Sequence, residues 1–221
     1  MKFALRVRLT AEFLGTAFLV AAVVGSGVMG EKLAGGNVAI ALLANTIATG
    51  AALVALICTF GAISGAHFNP VVTLSDVIAG RMSWTVASAY AVVQIAGGIA
   101  GVVAAHLMFG LPAVSRSLHA RSGVALAWSE FVATFGLLLV VLGCARFRPS
   151  TIPFAVGAYI TAAYWFTAST SFANPAVTIA RSLTNTFSGI RPIDVPWFLA
   201  AQISGGLAAT FLFRRLDSQA G

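Results

Sequence analysis

The sequence predicts an all-α membrane protein: six transmembrane helices plus two re-entrant half-helices, arranged as an inverted repeat. Three observations carry this. Apolar residues make up 59% of the 221-residue chain and charged residues only 9%, with a mean hydropathy of +0.94, whereas a soluble domain is about 25% charged. The apolar residues fall in long runs without strict alternation, the pattern of spanning helices and not of strands. The phrase Asn-Pro-Val-Val-Thr at 69–73 returns as Asn-Pro-Ala-Val-Thr at 174–178, and each copy opens a stretch too short to cross a bilayer.

Taken in order, the first span is Leu9–Met29. Lys2, Arg6 and Arg8 ahead of it resemble the start of a signal peptide, but the run is long and carries Glu12, so it reads as an uncleaved span. Val38–Phe60 is the second span. The first half-helix opens at Pro70, because proline suits the first helical turn and Asn69 before it caps the helix start. Val86–Phe109, Gly123–Cys144 and Ile152–Ala168 are the next three spans. Asn174 and Pro175 open the second half-helix, and Val195–Phe213 closes the set. These elements use most of the chain, so residues 1–221 read as one channel domain with repeats at about 1–110 and 123–221.

The duplication extends beyond the Asn-Pro phrases. Thr10–Thr16, containing Glu12-Phe13, recurs as Trp128–Thr134, containing Glu130-Phe131; Gln94–Ala100 recurs as Gln202–Ala208. Each half holds three spans, an odd number, so the second half enters the membrane inverted and the half-helices come from opposite faces with their N-termini toward each other. Gly97 and Gly101, and Gly205 and Ala209, are small residues four apart that let neighbouring helices approach closely.

With both termini inside, the cytoplasmic cations are Lys2, Arg6, Arg8, Arg81, Arg146, Arg148, Arg214 and Arg215, and the outer ones are Lys32, Arg116, Arg121, Arg181 and Arg191. This follows the positive-inside tendency, so the net charge of +7 reads as a topology signal and not a nucleic-acid footprint. Cys58 and Cys144 imply no disulfide framework and read as packing residues, with capture of a soft metalloid by a thiol as the alternative. His67, His106 and His119 are scattered, and no nucleophile–base pair, metal-ligand cluster or phosphate loop is evident, so no enzyme activity, metal or cofactor is expected.

On the twin Asn-Pro motifs, the paired Glu-Phe helices and the inverted halves, the chain resembles the aquaporin and aquaglyceroporin family, the major intrinsic proteins, over essentially its whole length. The resemblance implies a pore in each subunit, passive conduction of water or small neutral solutes, and a homotetramer in membrane lipid. The pore midplane then comprises Asn69, Pro70, Val71, Asn174, Pro175 and Ala176. The half-helix dipoles disfavour a cation there, and the asparagine amides can donate to a passing oxygen. The loops leading in offer backbone carbonyls, from Gly65, Ala66, His67 and Phe68 in one half and Thr170, Phe172 and Ala173 in the other. His67 reads either as a pore-lining side chain or as a holder of its loop. Glu12 and Glu130 read as loop supports, with proton coupling as the alternative.

Most family members place an arginine after Asn-Pro-Ala, in the outer constriction, where this chain has Val177. Carried over by spacing, the other filter positions are Thr49, Ala162 and Ser171. The expectation is a wide, weakly polar filter without ring or charge, with Arg181 outside the filter proper. A valine in that slot resembles a bacterial subgroup of aquaglyceroporins associated with arsenical permeation. The expected activity is passive passage of small neutral solutes, arsenous acid and related metalloid acids favoured, with glycerol and water, across the bacterial inner membrane. A general glycerol or polyol facilitator is the alternative, and a proton-coupled secondary transporter a more distant one.

Overall fold

The computed structural model describes residues 3–218; Lys2, counted above among the cytoplasmic cations, lies outside them. Eight α-helices run in the order α1 (Leu5–Leu33), α2 (Val38–Ser64), α3 (Pro70–Ile78), α4 (Trp84–Met108), α5 (Val124–Phe147), α6 (Ile152–Phe166), α7 (Pro175–Arg181) and α8 (Val195–Asp217). Each expected span falls on one helix; α1, α2, α4, α5 and α8 run on beyond it at one end or both, and α6 stops two residues short of the expected Ala168. At 15 residues α6 is the shortest of the six, about 22 Å long. The 3₁₀ turn Pro149–Thr151 ahead of it adds about 6 Å, bringing the pair close to the ~30 Å of a hydrocarbon core. The two half-helices, α3 and α7, have nine and seven residues.

The starts and stops follow local chemistry. Asn37 caps α2, its Oδ1 accepting from the N–H groups of Ala39 and Ile40 at 3.1 and 3.2 Å. Ser83 caps α4 through Val86. Gly65 ends α2 at φ +93°, a left-handed conformation that costs glycine little and turns the chain into the loop before α3.

The halves pack alike: α1 lies against α4 and α2, and α5 against α8 and α6, while α2 and α6 join the halves. The small residues permit this. A methyl at Gly97 would strike the carbonyl of Phe13, one at Gly101 that of Ala17, and one at Gly205 that of Phe131. Ala209 is fully buried. Helix α3 sits on α4 and α8, and α7 on α4, α8 and α1, so the two half-helices meet inside the bundle. All four tryptophans, Trp84, Trp128, Trp165 and Trp197, are exposed near helix ends, where an aromatic belt at the membrane interface would stand.

Candidate functional site

Two asparagines tie the half-helices together. Asn69 Oδ1 accepts from the N–H of Val71 at 2.9 Å, capping α3, while its Nδ2 donates across the repeat to the carbonyl of Ala173 at 2.8 Å. Asn174 mirrors this: Oδ1 accepts from Ala176 and Val177, and Nδ2 donates to the carbonyl of Phe68 at 2.8 Å. Each amide nitrogen has two hydrogens, so each asparagine commits one to the opposite loop and keeps one for the lumen. The carbonyls of Phe68 and Ala173, expected to serve passing solute, are engaged in holding the opposite asparagine.

The loops are held in an unusual shape. Ala66, Phe68, Thr170, Ser171 and Ala173 all have φ between +47° and +61°, a region that costs a non-glycine residue about 1 kcal/mol or more and persists only when neighbours enforce it. Two carboxylates do so. Glu12 accepts from the N–H groups of His67 and Phe68 at 3.0 and 2.7 Å and from Ser64 Oγ at 2.6 Å. Glu130 accepts from the N–H groups of Phe172 and Ala173 at 2.9 and 2.8 Å. Gln94 Nε2 bridges Glu12 and Thr73, and Gln202 Nε2 bridges Glu130 and Thr178. Both glutamates are fully buried and stand behind the lumen wall. In this geometry each carboxylate holds the backbone of its loop in shape.

A cavity of about 290 Å³ passes both asparagines, with Arg81, Asp76 and Ile152 among its lining residues on the α3 side and Thr49, Tyr164 and Arg181 on the α7 side. Its walls are helix stripes at i, i+4 spacing: Leu19 and Val23 on α1; Thr49, Leu53 and Ile57 on α2; Leu137, Val141 and Ala145 on α5; Ile152, Val156, Ile160 and Tyr164 on α6. Apolar walls leave the polar work to the two loops.

Most of the expected residues are brought together here. Asn69, Asn174, Gly65, Ala66, His67, Phe68, Phe172, Ala173, Thr49, Ser171 and Val177 all line the cavity. Pro70, Val71, Pro175 and Ala176 belong to the midplane but stand behind it, Val71 packing against Gly206. Thr170 shapes its loop without reaching the lumen. Ala162 is a correction. It is exposed on the outer face of α6, two residues out of phase with the Ile160–Tyr164 stripe and so on the opposite side of the helix.

The residue missed is Tyr164. It is 3% exposed, lines the cavity, and its hydroxyl lies 3.2 Å from Thr49 Oγ1 on the neighbouring α2. The i, i+4 stripe from Ile152 was the signal that points to it. Arg181, expected outside the filter proper, is 2% exposed and lines the same cavity as Val177, one turn further along α7. The lumen wall around Val177 therefore carries a ring, that of Tyr164, and a charge, that of Arg181, beside the small side chains of Thr49 and Ser171.

His67 serves both expected roles. It lines the lumen, and its ring holds Thr73 Oγ1 at 3.0 Å and Asp76 at 3.3 Å. Cys58 is exposed, not packed inside as expected, Cys144 is half-buried, and neither lines the cavity, so neither thiol faces a solute in passage. Arg121, expected as an outer charge, pins the loop before α5 to the loops on both sides of α7, donating to the carbonyl of Ser169 before it and of Gly189 after it.

A lumen bounded by two half-helices, inside six spans related by an inverted repeat, defines a membrane channel. The profile of the major intrinsic protein family matches residues 2–164, and the chain belongs to that family. It is 54% identical to aquaglyceroporin AqpS of Rhizobium meliloti (strain 1021) over 97% of this chain and 92% of that protein. It is 34% identical to aquaporin A of Dictyostelium discoideum, covering 93% and 76% of the two chains. Its fold matches the crystal structure of the aquaglyceroporin from Plasmodium falciparum with a TM-score of 0.73 at 20% identity, over 95% and 94% of the two chains. The protein is a multi-pass channel of the aquaglyceroporin type for small solutes, not an enzyme.

Proposed function

We propose that the channel passes small neutral polyhydroxylated solutes passively, with arsenous acid and related metalloid acids favoured and glycerol and water also admitted. The observation that carries this reading is Val177. It lines the lumen on the first turn of α7 and presents an apolar wall where an arginine would otherwise extend donors across the passage. Arsenous acid at neutral pH is uncharged, carries three hydroxyls and is close to glycerol in size, so a pore built for one admits the other. The similarity to an aquaglyceroporin over nearly the whole chain supports the solute class.

Passage is a sequence of hydrogen-bond exchanges between apolar walls. A solute oxygen accepts from the free amide hydrogens of Asn69 and Asn174 at the midplane, while α3 and α7 aim the positive ends of their dipoles at it and disfavour cations. The burial of Glu12 and Glu130 behind the wall argues against proton coupling. We further propose a homotetramer in the bacterial inner membrane with both termini cytoplasmic, in keeping with the charge asymmetry of the loops.

The test is arsenous acid entry into proteoliposomes, comparing wild type with Val177→Arg and with protein-free liposomes. Strong wild-type flux that the arginine suppresses, with water flux largely kept, supports the reading. No entry above protein-free liposomes overturns the metalloid substrate and leaves the general polyol facilitator, which glycerol flux then decides.

A further inference from the structure

We propose that Arg181 is a specificity-determining residue of the outer channel, a fixed hydrogen-bond donor that selects neutral solutes rich in oxygen acceptors. It lies one helical turn beyond Val177 on the same face of α7, and both line the cavity. Its Nε donates to the carbonyl of Ser188, and its guanidinium carbon stands 3.4 Å from the centroid of the Phe172 ring. These two contacts fix the side chain. Phe172 is wedged in turn against Phe198 at 5.2 Å, and Ser188 Oγ donates to the carbonyl of Val23 at 3.0 Å.

What remains of the guanidinium is unspent. Among the described residues no acceptor takes the four N–H bonds of Nη1 and Nη2, and neither nitrogen is sealed into the protein interior. No carboxylate pairs with it, although Arg81, Arg146 and Arg191 all have one. The same lumen wall carries Ser171, whose buried hydroxyl has no protein partner, and the Thr49–Tyr164 hydroxyl pair. Donors held rigidly, without an internal acceptor and on the lumen wall, are available to a solute.

The repeat sharpens this. The step that carries Asn69 onto Asn174 also carries Val72 onto Val177 and Asp76 onto Arg181, and all six line the cavity. At one mouth the charged position is neutralised: Asp76 lies 2.6 Å from Arg81 and 3.3 Å from His67. At the other, no carboxylate among the described residues pairs with Arg181, and a second guanidinium, that of Arg121, stands 4.9 Å from the centroid of the same Phe172 ring. A solute with several acceptor oxygens on one side, such as glycerol, meets two or more guanidinium N–H groups at once; urea, with a single carbonyl and two donor groups, gains less. The inference rests on the channel assignment and not on the choice of a metalloid as substrate.

The experiment measures the glycerol-to-urea permeability ratio in proteoliposomes by light scattering, for wild type, Arg181→Met and Arg181→Lys, with water permeability and gel filtration as checks of assembly. Arg181→Met is expected to lower the ratio by about threefold to tenfold, with Arg181→Lys intermediate because it keeps the charge and loses the planar fork. A ratio unchanged in both variants overturns the proposal. So does an equal fall of glycerol, urea and water flux, which marks a purely structural arginine. If Arg181→Met does not assemble, Arg181→Lys decides alone: a lowered ratio with water flux kept supports the role, and an unchanged ratio ends it. Absent arsenous acid entry in the wild type would overturn the metalloid substrate while leaving this ratio to judge Arg181.

Discussion

Replacing Glu130 by glutamine tests whether the buried carboxylates are supports or proton carriers. The carboxylate accepts from Phe172 N–H at 2.9 Å, Ala173 N–H at 2.8 Å and Gln202 Nε2 at 2.6 Å. A glutamine of the same shape has one oxygen and turns an NH₂ toward donors. Gln202 can rotate to present its Oε1, which has no partner in the wild-type arrangement, and so relieve one conflict. One backbone N–H is then left buried without an acceptor, at about 1–3 kcal/mol, and the surviving bonds lose their charge assistance. The sum is about 3 kcal/mol, or a fall in Tm of about 6–12 °C for a chain of this size. Glu12→Gln is expected to cost at least as much, since Glu12 also accepts from Ser64.

The assay is thermal unfolding in detergent alongside glycerol flux with and without an imposed pH gradient. Support predicts a lower Tm in detergent and a reduced flux that is indifferent to the gradient. A variant that unfolds within about 2 °C of wild type and conducts normally would refute the structural role. A variant of normal stability whose flux loses a dependence on the gradient would instead establish coupling.

Two further predictions follow from the lumen wall and the helix contacts. Ala162→Leu is expected to leave solute and water flux unchanged, while Tyr164→Ala raises the flux of solutes larger than glycerol in the same liposome assay; the reverse pattern would return the filter to Ala162. Gly205→Val forces a side chain into the carbonyl of Phe131, and is expected to lower stability by about 3 kcal/mol or more, read as a lower Tm in detergent or as loss of the assembled protein on gel filtration.

What the sequence revealed depended on whether a residue had a mirror image. Asn69 and Asn174, Glu12 and Glu130, and Gln94 and Gln202 are legible because each repeats in the same order in both halves, and the structure gives each pair matching bonds, with Ser64 an additional donor to Glu12 alone. The α6 filter position was not legible by spacing. Between Glu130 and Asn174 lie the rest of α5, a 3₁₀ turn and α6, and no motif fixes the helical phase across them, so the carried position landed two residues from Tyr164. Arg181 is the last residue of α7, and its placement is decided by Ser188 and by the ring of Phe172, contacts formed only after the chain folds back. The engagement of the Phe68 and Ala173 carbonyls is likewise a contact between halves, invisible to any local pattern.

The repeat also shows where the chain was free to change. Both loops adopt the same succession of positive-φ residues, with Ala66 answering to Ser171 and Phe68 to Ala173, so both need the same carboxylate, glutamine and threonine to hold them. Those positions stay symmetric. Positions that face the lumen beyond the asparagines carry no such duty, and there the halves diverge in a coordinated way. His67 answers to Phe172 and Asp76 to Arg181: in one half an imidazole pairs with a carboxylate at 3.3 Å, in the other a phenyl ring supports a guanidinium at 3.4 Å. Each mouth thus keeps a ring bracing a charged group about two turns into its half-helix, with the sign of the group and the chemistry of the ring exchanged together. A carboxylate neutralised by Arg81 adds little field of its own, whereas an unpaired guanidinium sets the potential of the passage it lines. The frame is therefore indifferent to direction, and the solute preference of the channel is written at its Arg181 end.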